Sequence, residues 1–286
     1  MGLRMIVTVK QVPDTHNVSG DAMKPDGTVN RAILPAIFNP EDLNALEEAL
    51  ALKDRYGGTV TVITMGPPKA VEILKECLYR GADDAVLLSD KYFAGADTLA
   101  TSYALKCAVE KMGQFDLVFS GRQAIDGDTA QVGPQLAEKL GINQLTCVSH
   151  VLEVEEGKIK VQRALDDGFE VLKAPLPVLL TLTGEANEPR SFSAKRAMIF
   201  KRIEKQMDDA RAYVLPEEGQ IIPYIKEWNI ESVGADQALC GLSGSPTKVK
   251  AIHSVVLAAS DAKDIPVSPE GIKNLIKELT DEYIIG

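Results

Sequence analysis

The chain has 286 residues and a formal net charge of −10, with 31 Lys and Arg against 41 Asp and Glu. That acidity argues against general binding to nucleic acid or anionic membranes, and the length suits one large domain with an appendage, or two small ones. No apolar run approaches transmembrane length, the N-terminus lacks a signal-peptide pattern, and Cys77, Cys107, Cys147 and Cys240 are dispersed without a CxxC, which together predict a cytoplasmic protein with reduced thiols.

Residues 5–9 read as a first buried strand, and Lys10-Gln11-Val12-Pro13 leave its C-terminal end, where ligands bind in an open α/β sheet. Lys24-Pro25-Asp26-Gly27 is a turn signal for an excursion or hairpin. Asn39-Pro40 starts a helix, with asparagine as cap and proline at the first helical position; Leu43, Leu46 and Leu50 give it an apolar face and Gly57-Gly58 stops it. A β-branched strand is predicted over 59–65, a helix over 70–80, a strand over 85–88, and a helix over 98–112 capped by Asp97.

The stretch FDLVFSGRQAIDGDTAQVGPQLAEKL, residues 115–140, is the most informative. Leu117-Val118-Phe119 suits one buried parallel strand. The chain then turns through Ser120-Gly121-Arg122-Gln123, crosses Asp126-Gly127-Asp128, and becomes amphipathic with Val132, Leu136 and Leu140 on one face. A strand, a glycine-bearing loop and a helix start aim backbone N–H groups at a phosphate. Asp128 or Thr129 is expected to cap this helix, which begins either at Thr129 or late enough to hold Pro134 in its first turn. Gly121, Gly127 and Gly133 are expected to let a ligand approach the main chain. The loop is neither GxxxxGK[ST] nor GxGxxG. Asp126 and Asp128 have no His or third carboxylate beside them, so turn and capping roles are expected over metal binding. His16, His150 and His253 are isolated, and the serines of Gly241-Leu242-Ser243-Gly244-Ser245 have the wrong spacing for a nucleophile elbow, so neither a catalytic base nor a hydrolase is indicated.

From Leu145 the rhythm changes to a hairpin over 148–154 and 159–164, a further strand over 169–172, and an apolar run over 177–182 that returns to the main sheet. The fold class is α/β, with a parallel sheet covered on both faces. Right-handed crossovers place the loops after Val9, Met65, Ser89 and Ser120 along one edge, the expected cleft. Past Pro189 the apolar pattern thins into a basic segment over 194–205, an extended acidic stretch over 208–223, Trp228 outside any core pattern, and a last helix over 269–285. Such a tail is expected to wrap its own domain or a partner.

The wording of residues 121–138, GRQAIDGDTAQVGPQLAE, closely resembles the nucleotide-binding signature of electron transfer flavoprotein beta subunits. Met5-Ile6-Val7-Thr8-Val9-Lys10-Gln11-Val12-Pro13, Asn39-Pro40-Glu41-Asp42, Met65-Gly66-Pro67 and Asn187-Glu188-Pro189-Arg190 resemble further segments of that family in the right order. The resemblance implies a Rossmann-like (adenine nucleotide alpha hydrolase-like) nucleotide-binding domain over 1–190. It implies an arm over 191–286 that contacts an alpha subunit and a dehydrogenase partner. The implied nucleotide site is Thr8 and Met65 against the adenine, Asn39 on the loop over the nucleotide, and the run Gly121, Arg122, Gln123, Ala124, Ile125, Asp126, Gly127, Asp128, Thr129, Ala130, Gln131 and Val132, with 126–132 offering N–H groups to phosphate.

DGDTAQVG stands where AMP-holding members read DDxNQTG, and with AGADTLATS at 94–102 it looks like the electron-bifurcating branch. That implies an FAD in the cleft that accepts hydride from NADH. One electron then goes to ferredoxin or flavodoxin, the other through the alpha-subunit FAD to a dehydrogenase of the acyl-CoA or 2-hydroxy acid type. Asp97, Thr98 and Thr101 join the implied cofactor set, with a cap and helix-face role as the alternative. The Asp-Gly pair is read as relieving crowding for a larger ligand, and Arg122 either tunes the flavin or makes a surface salt bridge. The flavin would do the chemistry, so no catalytic side chain is expected. The alternatives are a beta subunit holding a structural AMP and, in another class, a nucleotide-sensing module.

Overall fold

The computed structural model describes residues 2–14, 35–206, 212–214, 221–223, 225–247 and 264–281. Its first part runs β1 (Leu3–Thr8), β2 (Gln11–Pro13), β3 (Ala36–Phe38), α1 (Pro40–Tyr56), β4 (Gly58–Met65), α2 (Val71–Arg80), β5 (Asp84–Leu88), α3 (Thr98–Met112), β6 (Leu117–Gly121) and α4 (Val132–Leu140). There follow β7 (Asn143–Glu155), β8 (Lys158–Leu165), β9 (Gly168–Pro175), β10 (Val178–Leu182), α5 (Ala194–Gln206), β11 (Ala212–Val214), β12 (Ile221–Pro223), β13 (Ile225–Trp228) and α6 (Pro269–Asp281).

One sheet has nine strands in the order β13-β5-β4-β1-β6-β10-β7-β8-β9. From β13 to β7 every pairing is parallel, and β7, β8 and β9 continue as an antiparallel meander. The parallel strands are apolar on both faces because helices cover both. Met5 and Val7 of β1 pack with Leu46 and Leu50 of α1 and Leu74 of α2, while Ile6 between them packs with Leu105 of α3 and Leu136 of α4. β6 divides the same way, with Leu117 and Phe119 on the first face and Val118 on the second. Each such side chain gains about 1.5–3 kcal/mol from burial, so a one-residue slip of β1 or β6 is strongly opposed.

The α/β class, the parallel sheet and the return of residues 178–182 agree with the sequence. The C-terminal region departs from it. Residues 225–228 form β13, a parallel edge strand on β5, and Trp228 packs into the second core with the Lys111 ammonium 4.7 Å from its ring centroid. Ile225 packs into the first core and Trp228 into the second, one side chain on each face, and the Lys226-Glu227 pair between them leaves no apolar run to read. The predicted turn at 24–27 and the end of the last helix past Asp281 lie outside the described residues. Among the described residues, no helix is long and apolar enough to cross a membrane.

Candidate nucleotide-binding site

The segments after β1, β4, β5 and β6 line a cleft of ≈ 1080 Å³, the edge that right-handed crossovers predict. β1 and β6 are neighbours, yet α1 covers one face of the sheet and α4 the other. The chain therefore diverges between these two strands, and a crevice opens at their C-terminal ends. Thr8 closes its floor, its Oγ1 2.7 Å from Ser120 Oγ and 3.3 Å from the Phe119 carbonyl oxygen.

Residues 121–126 are held from behind by the start of α1. Gly121 N–H donates to Asp42 Oδ1 (3.0 Å), Gln123 N–H to Glu41 Oε2 (2.8 Å) and Ile125 N–H to Asn39 Oδ1 (3.1 Å). Three alternate amides of the loop thus meet three side chains of one helix start. Asn39 Nδ2 also donates to the Gln123 carbonyl (2.9 Å), and Asp42 Oδ2 accepts from Lys10 N–H (2.9 Å). Asn39 is fully buried and absent from the cleft wall, as is Ile125. Asn39 is the cap of α1 by position, but its side chain makes no cap bond and holds the loop at Gln123 and Ile125 instead. Gly121 serves the same clamp, since a Cβ there would stand 2.6 Å from Asp42 Oδ1 and 2.7 Å from Asp42 N.

Asp42 is buried, and burial raises its pKa to about 7, against the lowering effect of Gly121 N–H, Asn39 and Lys10. Arg122 pairs with Glu41 (Nη2 to Oε1, 3.0 Å; Nε to Oε1, 3.2 Å), and that hydrogen bond and charge hold its pKa above the usual value. Of its two expected roles, the structure shows the salt bridge. Lys10 Nζ reaches both oxygens of Asp126, at 2.7 and 2.8 Å.

Beyond the clamp the loop turns tightly, with Gly127 and Asp128 N–H both donating to the Ala124 carbonyl. Asp128 and Ala130 have φ of 48° and 52°, left-handed conformations that non-glycine residues adopt at a cost and that concentrate at functional sites. α4 starts at Val132, so Pro134 lies in its first turn. Neither Asp128 nor Thr129 caps it. Asp128 Oδ1 accepts from Gln123 Nε2 (3.1 Å), and the residue at the cap position, Gln131, makes no cap bond but accepts from Thr98 Oγ1 (2.9 Å). The first turn of α4 therefore has no side-chain cap among the described residues and faces the cleft.

The other predicted residues also line the cleft: Met65, Arg122, Gln123, Ala124, Asp126, Gly127, Thr129, Ala130, Val132, and Asp97, Thr98 and Thr101 on the α3 side. Asp97 is the α3 cap. Its Oδ1 accepts from Ala100 N–H (3.0 Å), its Oδ2 from Thr247 N–H (3.0 Å), and its own N–H donates to Ser245 Oγ (2.8 Å). Burial would raise its pKa, and the N–H groups of Ala100, Thr247 and Leu99 outweigh that and hold it below the usual carboxylate value. The Gly-Leu-Ser-Gly-Ser segment is thus a loop packed on residues 92–97, where Gly241 closes on the Tyr92 carbonyl.

Sequence reasoning placed Lys10 and Ser120 at the cleft edge and Asp42 at the start of α1, but gave none of them a role in holding the loop. A polar residue at a strand's C-terminal end and an acid in a helix's first turn were the signals available.

A model of the electron transfer flavoprotein domain matches residues 26–208. The electron transfer flavoprotein subunit beta of Clostridium acetobutylicum is 45% identical over 284 residues, covering 99% of this chain and 100% of that protein. The chain belongs to the electron transfer flavoprotein beta-subunit family. The Caffeyl-CoA reductase-Etf complex subunit CarD of Acetobacterium woodii is 46% identical over 248 residues, 86% of each chain. Protein FixA of Azotobacter vinelandii is 40% identical over 279 residues, 96% of this chain and 92% of its own.

This membership overturns one expectation. In known electron transfer flavoprotein complexes the alpha subunit binds the FAD and the beta subunit carries a structural AMP. The reading in which this beta-family chain itself holds an FAD, takes hydride from NADH and bifurcates the electrons is corrected accordingly. A Cβ at Gly127 would have nothing within 4 Å, so the Asp-Gly pair relieves no crowding by protein atoms. Gly133 does not open a ligand approach either, since its missing Cβ would stand 2.8 Å from Thr181 Cγ2 of β10.

Proposed function

We propose that this chain is the beta subunit of an electron transfer flavoprotein, holding AMP as a structural ligand while the alpha subunit carries the electron-transferring FAD. The observation that carries the reading is the uncapped start of α4 at the C-terminal edge of β6, in a family member too acidic to hold a phosphate by bulk charge. The phosphate is assigned to the N–H groups of residues 129–133, and the adenine to the floor near Thr8 and Met65. Thr98 and Thr101 stand on the opposite wall. Within this reading residues 1–190 are a Rossmann-like nucleotide-binding domain of the adenine nucleotide alpha hydrolase-like kind. The strand order β5-β4-β1-β6-β10, with its divergence between β1 and β6, supports it.

The contacts with the alpha subunit and the redox partner, in the cytoplasm, are assigned to an arm within residues 191–286, of which β13 and the residues packed behind it belong to the sheet domain. The partner is a flavin-dependent dehydrogenase of the acyl-CoA or 2-hydroxy acid type, with ferredoxin or flavodoxin as the small carriers of the same system. The name of the CarD relative, from a caffeyl-CoA reductase complex, supports the acyl-CoA class. Co-expression with a cognate alpha chain tests the proposal. A stable heterodimer whose flavin exchanges electrons with the dehydrogenase supports it, and a chain that stays monomeric and supports no transfer refutes it.

A further inference from the structure

We propose that Arg190 is a positioning residue: with Asn187 and Arg196 it fastens the base of α5 to α1 and α2, so that the outer face of this basic helix meets an acidic surface of the redox partner at a fixed angle. The partner half rests on the proposed reading of the arm, and the fastening rests on the structure alone. Asn44, Glu47 and Asp54 share one face of α1. Asn44 Nδ2 donates to the Asn187 carbonyl (2.7 Å), and Asn187 Nδ2 returns a bond to the Asn44 carbonyl (3.1 Å). Arg190 closes a fork on Glu47, Nε to Oε2 at 2.9 Å and Nη2 to Oε1 at 3.0 Å. Its backbone N–H also donates to Glu47 Oε2 (2.9 Å), and its Nη1 pairs with Asp54 (2.9 Å). Such a fork fixes direction as well as charge.

The residues that follow close the end of α2. Ser193 N–H donates to the Tyr79 carbonyl (3.0 Å), Arg196 Nε to the Leu78 carbonyl (2.7 Å) and Arg196 Nη2 to the Ala82 carbonyl. Leu78 and Tyr79 carry end carbonyls of α2, which lack partners in their own helix and favour a cation. Phe192 and Phe200 pack on the Tyr79 ring, at centroid distances of 5.9 and 5.8 Å. Arg196 and Phe200, four residues apart, thus form the inner face of α5, and the Arg196 charge is spent on α2. Lys195, Met198 and Ile199 form the outer face: Lys195 is exposed, and Met198 and Ile199 are 56% and 41% exposed. The sequence of α5, AKRAMIFKRIEKQ, is basic in a chain of net charge −10. A cationic and apolar helix face complements an acidic surface with an apolar recess.

The test uses the heterodimer with a cognate alpha chain, amide exchange over residues 187–200, and an acyl-CoA dehydrogenase reduced by its acyl-CoA as electron donor. In Arg190→Ala, exchange at residue 190 and at Ser193 should rise about tenfold, with β1 and β6 unchanged. With the heterodimer as the varied acceptor, KM should rise about threefold or more while kcat holds, because a loosened helix must be ordered on docking. A merely structural loss would shrink the active fraction, lowering kcat and leaving KM alone. Arg190→Lys keeps the charge without the fork and should recover part of both effects. Lys195→Glu should raise KM with the parent's exchange, and added salt should shrink that difference. Should Arg190→Ala fail to fold, Glu47→Gln carries the same expectations. Unchanged exchange overturns the fastening, and raised exchange with an unchanged KM overturns the positioning role. A Lys195→Glu heterodimer with the parent's KM overturns the docking of α5. An unmutated heterodimer that accepts no electrons from the dehydrogenase refutes the proposed function and the partner half with it, while the exchange data still decide the fastening.

Discussion

Lys10 Nζ bridges to both carboxylate oxygens of Asp126, at 2.7 and 2.8 Å, and so ties the segment leaving β1 to the far end of the loop leaving β6. The two side chains are 47% and 22% exposed, which limits the pair to about 1 kcal/mol or less after solvent screening. Lys10→Met should therefore lower thermal stability little, by a few degrees at most. AMP affinity should fall by more than stability, because the tie fixes the loop rather than the core. Calorimetric melting and AMP titration of the same variant check this; equal, negligible effects on both would show that the pair has no positioning role.

Gly121 and Gly127 should respond in opposite ways to a methyl group. At Gly121 it would press on Asp42 Oδ1 and the backbone of α1, and Gly121→Ala should cost about 1–3 kcal/mol. At Gly127 it would meet open space, and Gly127→Ala should lie within about 0.5 kcal/mol of the parent. Denaturant unfolding of both variants measures the contrast.

Gly133 makes a separable packing prediction. A Cβ there would stand 2.8 Å from Thr181 Cγ2, so Gly133→Ala should destabilise by about 1–3 kcal/mol. Thr181→Ser removes that methyl and keeps the hydroxyl that accepts from Cys147 N–H (3.1 Å). The double variant should recover most of the loss, a coupling that a double-mutant cycle reads directly.

Much of this was legible in the sequence. Residues 84–88 and 117–121 show as strands because burial on both faces makes 85–88 and 117–119 continuous apolar runs, 58–65 shows by its β-branched residues, and Gly57 and Gly81 stop α1 and α2 as glycines do. Asp97 caps α3 as its position predicts. What was hidden depends on distant partners. Asn39 looks like an ordinary cap, and only the fold brings Gln123 and Ile125 to its side chain. Gln131 has no capping chemistry and stands at the cap position because the residues before it turn through Asp128 and Ala130 in left-handed conformations. Gly133 reads as a ligand approach until Thr181, from a strand 45 residues on, fills the space.

Asp42 gives a pH dependence of stability with a definite sign. Its folded pKa, raised by burial to about 7, lies above the ordinary aspartate value of 3.8. The folded protein therefore binds this proton more tightly than the unfolded chain does. The stabilisation is fully present below pH 3.8 and is lost as pH rises through about 7. Chemical denaturation between pH 5 and pH 8 should show stability declining with pH through this group, and Asp42→Asn should flatten that component.

The nucleotide content of the purified heterodimer tests the central claim most directly. Acid extraction followed by chromatography should release one AMP and one FAD per heterodimer, with the AMP lost when the start of α4 is blocked and the FAD retained. Two FAD and no AMP would contradict the assignment of a structural nucleotide to this chain.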